Sequence, residues 1–129
     1  ILLSKLEIFD WEIKERNRIA KIYSSELKTS YDVPKIPKDS TSVWAQYTLQ
    51  SNKRDRVIGF LKENNIPAMI YYPKPMHEQP AYKQFTLNKD LNVSTKLSES
   101  VFSIPIHPYL TDLELEYIIE NLEKAKKIT

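Results

Sequence analysis

The chain has 129 residues, 41% of them hydrophobic and 28% charged, which fits one domain with a real core and leaves no room to expect two. Nineteen basic side chains face seventeen acidic ones, interspersed to a net +2, so there is no clustered basic face for nucleic acid. No cysteine is present, which removes disulfides and thiolate metal sites and fits a cytoplasmic protein, and no apolar run approaches the ~20 residues of a membrane span.

The spacing predicts one long helix over residues 1–28. Leu2, Leu6, Phe9, Ile13, Ala20, Tyr23 and Leu27 recur at steps of three and four, with an interruption at Arg16. Ile8, Trp11, Ile19 and Ile22 widen the stripe, so this helix is expected to pack on more than one side. The pattern is already running at Ile1, with no methionine before it, and the chain is therefore expected to be a piece of something longer.

Residues 29–42 carry two prolines and several turn formers without a period, and read as a linker. In 43–50, Val43, Ala45, Tyr47 and Leu49 alternate with Trp44, Gln46, Thr48 and Gln50. That predicts a half-buried strand with Trp44 and Tyr47 on opposite faces. Asn52 is the expected cap of the next helix, with Asp55 in its first turn and Val57, Phe60 and Leu61 on its buried side. Asn64-Asn65 closes that helix, asparagine being the best non-glycine residue for a left-handed position.

A second strand is expected over 66–72, entered through Pro67. It leads into "YYPKPMHEQPAY" (71–82). There Pro73 and Pro75 fix two φ angles and bias Tyr72 and Lys74 toward extended backbone. Such a segment loses little entropy on ordering and holds a side chain in one place. His77, beside Glu78, either exchanges a hydrogen bond with a polar ligand near neutral pH or packs against Tyr82 as an ordinary turn residue.

Pro80 can open a short helix, and residues 92–101 predict another, with Leu97 and Val101 four apart. "VFSIPI" (101–106) reads as a third strand that runs into His107-Pro108, where His107 reads as a turn residue. The closing helix has the clearest start: Thr111 and Glu114 form a capping-box pattern, and Leu115, Ile118, Ile119 and Leu122 follow at helical spacing. Together these elements predict an α/β (α+β) fold, a small three-stranded sheet packed with helices behind a long N-terminal helix.

Little chemistry is legible directly. Gly59 is the only glycine, so neither a dinucleotide fingerprint nor a P-loop can form. His77 and His107 are the only histidines, too few for a His-rich metal site, and no serine neighbours either of them. On residues alone the reading ends at an α/β domain with an ordered aromatic, proline-rich loop.

The order of the motifs says more. "RxxIAxxYxxxL" (16–27), "SVWAQYTL" (42–49), "RDxxxxFLKENNI" (54–66), "YYPKPMHEQPAY" (71–82) and "SIPIHPYLT" (103–111) resemble the C-terminal portion of the DegT/DnrJ/StrS aminotransferases. The form of the second and fourth segments is similar to the branch acting on UDP-linked amino sugars. The resemblance implies the small C-terminal domain of a cytoplasmic, pyridoxal-phosphate-dependent enzyme of fold type I, usually a homodimer. Residues 1–28 would then be an interdomain helix, 29–42 a linker and 43–129 the α/β core.

Such enzymes move an amino group, commonly from glutamate, to the keto carbon of a nucleotide-linked sugar for surface polysaccharide or glycan synthesis. The Schiff-base lysine and most cofactor contacts of the family belong to the large N-terminal domain. No catalytic lysine and no bound cofactor are therefore expected in this chain. The family's "HYPxPLH" loop corresponds to residues 71–77, with Tyr71 in place of its first histidine. By that match Tyr71, Tyr72 and His77 are expected on the substrate side, and no metal is expected. A non-catalytic binding module with the same fold is the alternative.

Overall fold

A computed structural model describes residues 2–85 and 91–128; the side chain of Leu2, counted in the expected stripe, lies outside the described ones. Helix α1 spans Leu2–Leu27, strand β1 Tyr47–Gln50, helix α2 Arg54–Glu63, helix α3 Asn92–Ser100, strand β2 Val101–Ile104 and helix α4 Asp112–Ile128. Two single 3-10 turns, Met76–Glu78 and Lys83–Phe85, lie between α2 and α3. Among the described residues no helix is long and apolar enough to cross a membrane.

The sheet has two strands rather than the expected three: β1 and β2 pair antiparallel, with Tyr47 opposite Ile104 and Gln50 opposite Val101. The 66–72 segment does reach the free edge of β2, but only Met69 pairs, exchanging both backbone hydrogen bonds with Ser103 at 2.9 and 2.8 Å. The reason is local. Continuing that antiparallel register by two residues sets Pro67 opposite Pro105, and neither carries an N–H to donate. Pro105 likewise ends β2 at Ile104, two residues short of the expected boundary.

The other difference lies in 43–50. Trp44 adopts a left-handed backbone (φ 51°), which costs a non-glycine residue ~1–2 kcal/mol and breaks the strand before it starts. Only Tyr47 onward pairs. Trp44 and Tyr47 consequently share one buried side, their ring centroids 5.4 Å apart, instead of pointing to opposite faces. Asn52 does not cap α2. Lys53 holds the cap position without a side-chain bond, while the Ser51 hydroxyl accepts the Lys53 N–H at 3.2 Å. Asn65, by contrast, takes the expected left-handed conformation (φ 56°).

The core gathers the inner half of α1 (Ile19, Tyr23, Leu27), the sheet (Tyr47, Leu49, Phe102), α2 (Val57, Leu61) and α4 (Leu115, Leu122). Its three tyrosines are all satisfied. Tyr23 donates to the Pro105 carbonyl (2.9 Å), Tyr31 to the Leu122 carbonyl (2.8 Å), and Tyr47 shares a 2.8 Å bond with Ser24. Burial pushes the phenols of Tyr23 and Tyr31 far above the usual tyrosine range, so they stay protonated donors. Helix α4 starts as expected: Thr111 N–H donates to Glu114 Oε2 (2.8 Å) and Glu114 N–H to Thr111 Oγ1 (3.3 Å).

Candidate functional site

The proline-stiffened loop leaves the Met69 bridge and presents Tyr71 and Tyr72 to solvent, at 50% and 72% exposure. Pro75 is buried, and the 3-10 turn that follows is closed by Glu78 N–H to the Pro75 carbonyl at 3.0 Å. That turn tucks His77 against α3. Its ring is half-buried, with Nε2 at 3.4 Å from the Thr95 hydroxyl and 3.6 Å from the Glu78 carboxylate. Thr95 in turn donates to Glu78 at 3.2 Å. His77 is thus an oriented histidine rather than a loose surface one.

Tyr71 lines a cleft of ≈260 Å³ at the end of β2, together with Gln46, Met69, Ile104 and His107. Neither Tyr72 nor His77 is among its lining residues. The three expected substrate-side residues therefore do not converge on one cavity: Tyr71 meets His107, and His77 meets Thr95 and Glu78.

His107 is the residue that sequence reasoning undervalued. It does occupy a turn, accepting the Leu110 N–H at 3.3 Å, but it is exposed and lines two clefts. The second, of ≈390 Å³, adds Ile66, Leu110, Leu113 and Tyr117. Pro67 and Pro105 are shared by both clefts, so His107 stands on the ridge between them. It also contributes to holding the Glu114 carboxyl below its usual range, after the backbone and hydroxyl bonds from Thr111. Gln46 was missed as well, because its place in the cleft depends on the unusual backbone two residues earlier.

A pyridoxal-phosphate site needs a lysine in a desolvated pocket, where its amine is a usable nucleophile. Every described lysine is exposed, so the described residues do not by themselves fit that group. Among the same residues no cluster of histidine and carboxylate side chains is arranged to hold a metal ion.

Comparison with known proteins agrees with the fold. A UDP-2-acetamido-2-deoxy-3-oxo-D-glucuronate aminotransferase of Pseudomonas aeruginosa is 38% identical over 95% of this chain, which covers 34% of that enzyme. A crystal structure of a DegT/DnrJ/EryC1/StrS aminotransferase from Brucella abortus matches with a TM-score of 0.91 at 39% identity, over 96% of this chain and 34% of its own. Streptomyces venezuelae DesV, solved in complex with a ketimine intermediate, gives the same TM-score of 0.91 at 25% identity, over 98% and 35%. The chain thus spans about a third of the length of these relatives. The model of the DegT/DnrJ/EryC1/StrS aminotransferase family matches residues 1–123, and the chain belongs to that family.

Proposed function

We propose that residues 1–129 form the small C-terminal domain of a pyridoxal-phosphate-dependent aminotransferase that acts on a nucleotide-linked keto sugar. In this reading α1 is the interdomain helix and 29–42 a linker. The α/β unit supplies one wall of a cleft, and the cofactor and its lysine sit on the rest of the protein. The amino donor is glutamate, the intact enzyme is a cytoplasmic homodimer, and its product feeds surface glycan synthesis. The observation that carries the reading is the 38% identity, along nearly the whole chain, to an enzyme named for a UDP-linked 3-oxo sugar. A UDP-linked substrate is favoured on the same ground.

Within this chain the contributions are those of positioning and binding. The cofactor, when bound, supplies the electron sink for amino transfer. Tyr71 and Tyr72 offer exposed rings and hydroxyls to a sugar, and Pro73 biases the Tyr72 backbone toward an extended conformation. His77 is oriented by Thr95 and Glu78 and can exchange a hydrogen bond with a substrate oxygen. In the intact enzyme His77→Ala is expected to raise the KM for the nucleotide sugar or lower kcat, leaving the cofactor absorbance unchanged. Kinetics identical to the unsubstituted enzyme would return His77 to a purely structural place.

A further inference from the structure

Arg16 stands where the apolar stripe of α1 is interrupted, half-buried and pointing into the fold. A single nitrogen, Nη1, donates to two carbonyls far apart in sequence: Trp44 at 3.0 Å and Ile106 at 3.2 Å. Each belongs to a chain segment that walls the Tyr71 cleft. One and two residues on from Trp44 come Ala45 and Gln46, and one residue on from Ile106 comes His107, all of them lining residues.

The Trp44 side of this arrangement is held against its own preference. A left-handed tryptophan persists only where the surroundings over-determine it. Here Ser42 Oγ accepts the Trp44 N–H (3.2 Å), Asn17 Oδ1 accepts the indole N–H (3.1 Å), and Arg16 takes the carbonyl. Three polar side chains fix one residue that no regular element supports. What they purchase, structurally, is the direction of the chain at Gln46.

We infer that Arg16 is a positioning residue: by tying the Trp44 and Ile106 carbonyls to one guanidinium, it holds the segments that carry Gln46 and His107 into the lining of the Tyr71 cleft, which takes the sugar ring of the substrate. The ligand class follows from the lining. It offers an amide, a phenol and an imidazole over Met69, Ile104 and two prolines, with no Lys, Arg, Asp or Glu among the lining residues. That suits a neutral, hydroxylated ring and not a diphosphate, which draws cationic groups. At ≈260 Å³ the cleft is just under the ~300–1,000 Å³ usual for whole small-molecule sites, so it admits one ring of a larger substrate. The ligand assignment rests on the aminotransferase reading, whereas the clamp itself does not.

The test uses the intact gene product as Arg16→Met, Arg16→Lys and His107→Asn variants. Hydrogen exchange reads the clamp. Amides in 45–47 and at 106–107 are expected to exchange on the order of tenfold faster together in Arg16→Met, while those of α2 keep their rates, and Arg16→Lys restores much of the protection. Kinetics read the cleft. Arg16→Met and His107→Asn are each expected to raise the KM for the UDP-linked keto sugar about tenfold, with kcat within about twofold. Unchanged exchange at either wall in Arg16→Met, or an unchanged KM in both variants, overturns the inference. Lack of amino transfer by the unsubstituted protein would instead overturn the aminotransferase reading and with it the sugar-ring assignment, and the exchange data would still decide the clamp.

Discussion

The two halves of α1 share one apolar period and have opposite surroundings. Ile19, Ala20, Tyr23 and Leu27 are buried against the sheet and its neighbouring helices. Leu3, Leu6 and Phe9, on the earlier turns, are 80%, 63% and 48% exposed. One turn further on, Trp11 lies 5.6 Å from the Tyr109 ring and Glu12 accepts a hydrogen bond from Tyr109 (2.6 Å), while the Lys5–Glu12 bond (2.9 Å) stays within the helix. Periodicity therefore announces that a helix face is built to be covered, and only the fold says what covers it. An apolar stripe left open on one half of a helix marks a contact surface. In the proposed enzyme, the remaining two-thirds of the protein supplies that cover.

The largest effect belongs to the buried half. Leu27→Ala removes a fully buried side chain from a packed cluster and is expected to cost about 2–5 kcal/mol in denaturant unfolding of this chain. A cost under 1 kcal/mol would mean that the inner half is no better packed than the outer one. Phe9→Ser is expected to change the same unfolding free energy by less than about 0.5 kcal/mol. In the intact enzyme, where the outer half is covered in the proposed reading, Phe9→Ser should cost several times more. Equal small effects in both would break the comparison.

The smallest effect is a pH dependence of the outer half. Hydrogen bonds from Tyr109 and Lys5 hold the Glu12 carboxyl below its usual range. A depressed folded-state value means that the contact contributes above the unfolded carboxyl pKa and is lost as pH falls through the folded one. Acidification below the usual carboxylate range should therefore loosen the Glu12–Tyr109 tie. Amide exchange in the first three turns of α1 should rise, with no matching change at Ile19–Leu27. Parallel acceleration in both halves would show that the two respond as one unit. Both groups that bond Glu12, Lys5 and Tyr109, are exposed, so solvent screening makes a shift in exchange the appropriate readout and not a drop in global stability.

What the sequence disclosed were the features decided by neighbours in the chain. The α4 start is fixed by Thr111 and Glu114 three residues apart, and the end of α2 by an asparagine at a left-handed position, so both were legible. The family resemblance, too, rested on short motifs in order. The errors fell where distant segments meet. The strand expected over 66–72 shrank to a single bridge because Pro67 and Pro105, 38 positions apart by numbering, face each other in that register. Trp44 left its expected face because Arg16, Asn17 and Ser42 hold it in an unusual conformation. His107 looked like a turn residue, and it is one; that its ring also lines the Tyr71 cleft depends on the Met69 bridge bringing the two loops side by side. Arg16 looked like a gap in an apolar stripe, yet it is the side chain that joins α1 to both walls.

The central claim is that this chain forms a substrate-side wall while the cofactor is carried elsewhere on the protein. Borohydride reduction of the intact, cofactor-loaded gene product, followed by peptide mapping of the labelled lysine, tests it most directly. The account predicts a label on a lysine outside residues 1–129. A label on any lysine of this chain would contradict it.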